Sequence, residues 1–404
     1  MEEFGQMLRR LRRERGLSLR RFAEIAGIDF GYVGQIERGE RRCSPDWAEI
    51  CDQTLSANGA LVAAYQVDTR AAGDDMQRRT VLMALALGAS TPAVAVEAIR
   101  QWLDTGAGTG PDEWQLIAND YARDFYVTAP ATLVGQLGMD LAVLQPLIGA
   151  EPGNRDLLRS AGQLAVIMAM ALTSTGQVGL ARRWWRTARR QADQSGDLDT
   201  RIWVRDWEVV NGTYERRPVR QILDLADETI TMADGRACCG TAGVLSGRAQ
   251  ALAAVGRVEE ATVAIRAVEE ITDRLPGPVI NDAESMLGWP EVRLRYTESY
   301  VYTFTGQVTK AMTAQDRALE LYPADLARER AQLQMHRANC LVRSGQIPDG
   351  LRYATEVLDE LPADRHNALL YEVARQVVAV VPERERRRAE VAELRDRLAA
   401  QPAR

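Results

Sequence analysis

Four glycines set out how most of this chain can fold. Gly176, Gly256, Gly306 and Gly345 each follow a small residue by seven positions (Ala169, Ala249, Ser299 and Ala338). Each also precedes another by five (Ala181, Ala261, Ala311 and Gly350). Pro323 and Pro362 stand seventeen residues after the last two glycines. Small side chains at these offsets let two helices approach closely, glycine makes the turn between them, and proline ends the second helix. The pattern predicts helix pairs stacked in series from about residue 80 onward, where strand signals are few. The glycines lie 80, 50 and 39 residues apart, so the first interval must hold a further degenerate pair, around Trp203 to Ile230. Earlier helices near Trp114–Val127 and Leu133–Ile148 supply another, which makes about six or seven pairs with insertions between some of them.

These are the offsets of the tetratricopeptide repeat, which the region resembles. The resemblance implies an all-α, right-handed helical solenoid over residues 80–382, with a C-terminal capping or dimerisation helix at 383–404 carrying Val391, Leu394 and Leu398 on one side. It further implies that the first helix of each pair lines an inner groove through positions 13, 10, 6 and 3 before the turn glycine. Those positions hold Arg293, Tyr296, Tyr300 and Thr303, then Gln332, Met335, Asn339 and Val342, with Ser246 and Gln250 in the preceding repeat. Asn339 falls where peptide-binding repeats often place an Asn that holds a peptide backbone. An Arg, aromatic rings and amides on one groove suit an extended peptide bearing an apolar side chain or a carboxylate. Tyr296 and Tyr300 serve equally well as packing between repeats. Trp184, Trp185, Trp203 and Trp207 are read as core.

The N-terminal segment carries a different signature. Ser18 can cap a helix whose apolar residues are Leu19, Phe22, Ala23 and Ile25. Gly27 permits a tight turn, and Ile28, Val33 and Ile36 return a second helix to the same small core, closed by Gly39. Phe4, Leu8 and Leu11 precede this unit, and Ser44-Pro45 opens a further helix with Trp47, Ile50, Cys51 and Leu55 as its buried stripe.

Residues 3–62 resemble the lambda-repressor/Cro-like (Xre) family of DNA-binding helix-turn-helix domains. The resemblance implies that Arg12 and Glu37 form a buried pair. It also places Phe30, Gly31, Tyr32, Gly34 and Gln35 toward the bases. Gln35 alone among them can make a bidentate contact to adenine, and Phe30 can press on a thymine methyl. Leu19 stands where the family often has a phosphate-holding Gln. Ser18, Arg20, Arg21, Arg38, Arg41 and Arg42 are the expected phosphate contacts. Modest direct readout follows, with DNA shape and phosphates carrying much of the affinity. The domain is placed at residues 1–65, followed by a linker at 66–79.

Charge agrees with this division. Residues 1–45 hold ten Arg against seven Asp and Glu, so a basic head is hidden within an overall net charge of −6. Lys310 is the only lysine. Cys43, Cys51, Cys238, Cys239 and Cys340 show neither ligand spacing nor a paired framework, as in a reduced cytoplasmic protein. With His336 and His366 the only histidines, a His-based metal site or triad is not expected. No phosphate loop or catalytic constellation is present either, so no cofactor and no enzymatic role are expected. Arg78-Arg79 and the apolar run after them imitate an export signal. The run is too short to span a bilayer, and it is read as the first packed helix after the linker, with no secretory segment before it.

A DNA-reading head on a tetratricopeptide-like body resembles the peptide-responsive regulators of bacterial quorum sensing (the RRNPP group). The resemblance implies a cytoplasmic homodimer on double-stranded DNA, gated by a short peptide or small effector. Two other readings remain open. In one, the body docks a partner protein instead of a small effector. In the other it acts on a signalling protein, as an enzyme would.

Overall fold

The computed structural model describes residues 3–39, 41, 43–68, 110–362 and 365–399. All regular structure among them is helical, and the chain divides into two compact units, 1–103 and 104–404.

The first unit contains α1 (Phe4–Glu14), α2 (Leu19–Ala26), α3 (Phe30–Glu37) and α4 (Pro45–Thr54), with a last helical stretch over 60–68. Each cap has a local cause. Ser18 Oγ accepts the Arg21 N–H at 3.2 Å, Asp29 Oδ1 accepts that of Tyr32 at 3.0 Å, and Ser44 Oγ accepts that of Trp47 at 3.4 Å. The core gathers Leu8, Phe22, Val33, Ile36, Cys51, Leu55 and Leu61. Ile25, expected on the apolar face of α2, is 51 % exposed. Phe22, Ala23 and Ala26 fill that face, and at about 3.6 residues per turn Ile25 falls outside their arc. Residues 66–68, expected in the linker, continue the last helix, and the Asp68 carboxylate accepts the Phe4 N–H at 2.6 Å. The rest of the expected linker and the helix after Arg78-Arg79 lie outside the described residues.

The second unit is a series of helix pairs. They are α5 (Pro111–Asp124) with α6 (Pro130–Ala150), α7 (Arg155–Ser174) with α8 (Val178–Ser195), and α9 (Leu198–Tyr214) with α10 (Val219–Ala233). Next come α11 (Cys239–Ala254) with α12 (Val258–Thr272) and a connector holding the short α13 (Gly277–Asn281). The series continues through α14 (Glu291–Phe304) with α15 (Val308–Leu321), α16 (Ala327–Arg343) with α17 (Ile347–Glu360), and α18 (Ala368–Ala379) with α19 (Ala389–Ala399). The four turn glycines all adopt left-handed φ, from +75° at Gly256 to +88° at Gly345. The small residues flanking them are buried, and a Cβ on Gly350 would come within 2.7 Å of the Ala338 carbonyl oxygen. These are the crossings at which the helices of a pair touch.

First helices also pack on first helices: α7 on α9, α9 on α11, α11 on α14, α14 on α16, and α16 on α18. Together they form a continuous inner wall. The far end turns back to meet the start. Helix α18 packs on α7, Arg216 pairs with Glu372 at 2.7 Å, and Arg365 donates to the Val127 carbonyl at 3.1 Å. Val391 and Leu394 of α19 are buried among Leu351, Leu358 and Val377, so the apolar side of that helix packs on its own chain. Helices α6 and α7 are long and apolar enough to cross a membrane, but α7 is almost wholly buried as a core helix.

Candidate nucleic-acid interface and interior chamber

In the first unit helix α3 is braced from beneath. Arg12 donates to both carboxylate oxygens of Glu37, at 2.6 and 2.9 Å, and a third N–H reaches the Leu17 carbonyl at 2.6 Å. Both side chains are buried. This ties α1, the start of α2 and the end of α3 into one geometry, which is the best-attested use of a buried ion pair.

The outward face of α3 presents Phe30, which is 49 % exposed, with Gly31, Tyr32 and Gln35 half-buried beside it. Two expected phosphate contacts lie over aromatic rings. The Arg20 guanidinium is 5.4 Å from the Phe30 ring centroid, and that of Arg41 is 4.9 Å from the Tyr32 centroid. Tyr32 also meets Trp47 edge-on at 6.4 Å. Such contacts limit the ring orientations before any DNA arrives. Arg21 is exposed and paired with Glu24 at 2.9 Å, and Arg38 is exposed at the helix end. Gly34 is buried, contrary to its expected base-facing role. A Cβ there would lie 3.2 Å from Arg38 Nη1 and 3.7 Å from Leu19 Cδ2, so Gly34 is a packing position between α2 and α3. Arg42 lies outside the described residues.

In the second unit the inner wall and the returning end line a half-open chamber of about 140 Å³. Five of the expected groove residues line it: Ser246, Gln250, Arg293, Tyr296 and Gln332. Four of them lie in two separate hydrogen-bonded runs. Tyr214 and Tyr296 share a hydroxyl contact at 2.9 Å, and Tyr296 donates to Gln332 Oε1 at 2.9 Å. Ser246 contacts the Thr297 hydroxyl at 2.7 Å, and Gln250 donates to Ser246 at 3.0 Å.

Tyr300, Met335 and Asn339 do not line the chamber. Tyr300 is fully buried against Phe304 and His336, and Met335 belongs to the core of the last pairs. Asn339 donates to the Gln376 carbonyl of α18 at 3.3 Å and accepts from Arg343 at 2.7 Å. Helix α18 fills that stretch of the inner wall, so the amide meant for a peptide backbone holds a carbonyl of its own chain. Arg293 also departs from expectation. Its Nη1 donates to the Gly288 carbonyl at 2.8 Å and its Nη2 to the Tyr126 hydroxyl at 2.7 Å, while its plane lies 4.7 Å from Trp207 and 5.8 Å from Trp289. Four protein groups already occupy the fork expected to grip a carboxylate.

Sequence reasoning missed Asp206, Trp207, Asn211 and Glu329, which also line the chamber. Burial pushes the Asp206 carboxyl well above the usual carboxylate range, against the pull of the Arg293 charge. Burial likewise raises Glu329, against the pull of Arg328. One available signal was the run of Gly240, Gly243 and Gly247 on α11. A Cβ at Gly243 would fall 2.6 Å from Asp206 Cγ, so this small-residue face seats α9 with its Asp. Burial drives the Cys51 and Cys239 thiols up to about 12, where they stay protonated at neutral pH. No group of His, Cys, Asp and Glu fit to hold a metal occurs among the described residues.

Residues 3–65 match the family model of a helix-turn-helix domain. No curated protein and no solved structure matches the chain. The helix-turn-helix domain suggests a DNA-binding regulator rather than an enzyme.

Proposed function

We propose that this chain is a sequence-specific transcriptional regulator of the Xre kind, acting in the cytoplasm as a homodimer. Its tetratricopeptide-like body binds an effector, a short peptide or a small molecule, in the interior chamber. The observation that carries this reading is the lining of that chamber by buried polar side chains, several of which lack partners. Unpartnered buried polar groups destabilise a fold, and those on Asp206, Trp207, Asn211, Gln250 and Glu329 would gain partners from a ligand bound in the chamber. At about 30 Å³ per water, a chamber of about 140 Å³ holds roughly five waters. That suits a small molecule or the end of a peptide rather than a long extended segment. The effector controls DNA binding only if it binds the competent and incompetent arrangements with different affinity.

DNA affinity selection on the full-length protein, with its mass measured in solution, tests the reading. The expected product is an inverted repeat whose half-sites lie about one helical turn apart, or a multiple of that, bound by a dimer. A cell extract should change the affinity for that repeat. Failure to enrich any sequence, with and without extract, would sink the regulator reading.

A further inference from the structure

On the chamber wall formed by α9 and α11, oxygens of Asp206, Asn211 and Gln250 lack partners, against one donor, the Trp207 indole N–H. Asn211 donates its amide N–H to the Trp207 carbonyl at 2.9 Å. A carbonyl only accepts, so the amide orientation is fixed, and Asn211 Oδ1 is left with no partner. Gln250 is fixed by a relay. The Thr297 hydroxyl donates to the Arg293 carbonyl at 2.9 Å, so it accepts from Ser246. Ser246 then has only lone pairs to offer Gln250 Nε2. Gln250 Oε1 is therefore an acceptor, and it too has no partner. Asp206 is 3 % exposed, and its Oδ2 is unpartnered as well. The close approach of Gly243 leaves α11 no side chain there to supply a donor. Arg293, the donor-rich group nearby, is spent on Gly288, Tyr126 and the two indole faces.

We infer that this wall seats a ligand's amino group: the chamber takes a primary ammonium, carried by a free amine or by a peptide N-terminus. Asp206 supplies the counter-charge, and Asn211 Oδ1 and Gln250 Oε1 take further N–H donors. Burial raises the Asp206 pKa, and a seated ammonium opposes that shift by favouring the carboxylate. The inference rests on the reading of the chamber as an effector site. It replaces the carboxylate-first orientation that the groove residues suggest in the sequence.

Titrations of the full-length protein with four probes test it, followed by calorimetry and by tryptophan fluorescence, since Trp207 and Trp289 line the chamber. The probes are phenethylamine, phenylacetate, phenylalanyl-alanine amide and N-acetyl-phenylalanyl-alanine. At least one of the two amines should bind, and neither acid should. Binding of the dipeptide amide alone identifies a peptide N-terminus, and binding of phenethylamine alone a small amine. Asp206→Asn should weaken amine binding by about 10- to 100-fold, as expected for losing a charge-assisted hydrogen bond, with an unchanged melting curve. Asn211→Leu should weaken it less. Binding of the acids instead, or amine affinity unmoved by Asp206→Asn, overturns the ammonium seat while leaving an effector chamber in place. If no probe binds, the ammonium seat fails as well, and the extract-dependence of DNA affinity then decides the effector reading on its own.

Discussion

In the helix-turn-helix unit the buried polar side chains Arg12, Glu37 and Asp52 all find partners within the fold. In the helical unit, buried oxygens and nitrogens on Asp206, Trp207, Asn211, Gln250 and Glu329 find none. On the proposed function, the difference reflects where each unit would meet its ligand. A DNA-binding face works outward, so its scaffold can be complete, with recognition left to exposed side chains on α3. A chamber works inward, and the groups reserved for a ligand must sit where unmet hydrogen bonds cost stability.

Breaking the braced scaffold should have the largest effect. Glu37→Ala strands the Arg12 charge inside the first unit and should destabilise that unit by about 3–5 kcal/mol, seen as early melting of its transition. Arg12→Met combined with Glu37→Leu should recover most of the loss, because two apolar side chains leave no uncompensated charge. If Glu37→Ala melts like the wild type, the pair does not set the geometry of the unit.

Acid should then separate the two units. His336 is fully buried, and burial lowers its pKa to about 3, below the ordinary value near 6.5. Its contribution is complete above about pH 6.5 and is lost as pH falls toward 3. At about 1.4 kcal/mol per unit, the loss is on the order of 5 kcal/mol. Chemical denaturation of wild type and His336→Gln across this range isolates the effect. The advantage of the wild type in the helical unit should shrink steadily below pH 6.5, while the first unit shows no difference between the two proteins. A pH-independent difference would mean that His336 is not held neutral.

The smallest effect concerns a single base pair. Gln35→Ala should cost about 1–3 kcal/mol on the preferred duplex and relax the preference at one position, leaving stability and probe binding unaltered. Competition binding against single-base variants measures it, and an unchanged preference would remove Gln35 from the base-reading set.

The stacking was legible in the sequence because it depends on local necessities. A left-handed turn needs glycine at Gly176, Gly256, Gly306 and Gly345, and close crossings need small residues at fixed offsets. The caps at Ser18, Asp29 and Ser44 are equally local. The chamber was only half legible. Whether Tyr300, Met335 and Asn339 face a groove depends on α18, which packs over them from the far end of the chain. Whether Trp207 is core or lining depends on Arg293 lying against its face, and Arg293 is held there by Tyr126, which lies 167 positions away. No periodicity within one helix encodes such a closure. Gly34 was misplaced for a related reason: on so short a helix, the side of α3 that faces α2 is settled by Leu19 and Arg38 together.

The connector between α12 and α14 has a consequence for how such a molecule diversifies. It contributes almost nothing to the repeating crossings, yet it brings Trp289 and the Gly288 carbonyl to Arg293, and its Met286 N–H bonds the Ala122 carbonyl at 3.0 Å. Frame and furnishing are thus written in separate stretches of sequence. A relative could keep every glycine of the grid, exchange this one connector, and line the same chamber with different chemistry.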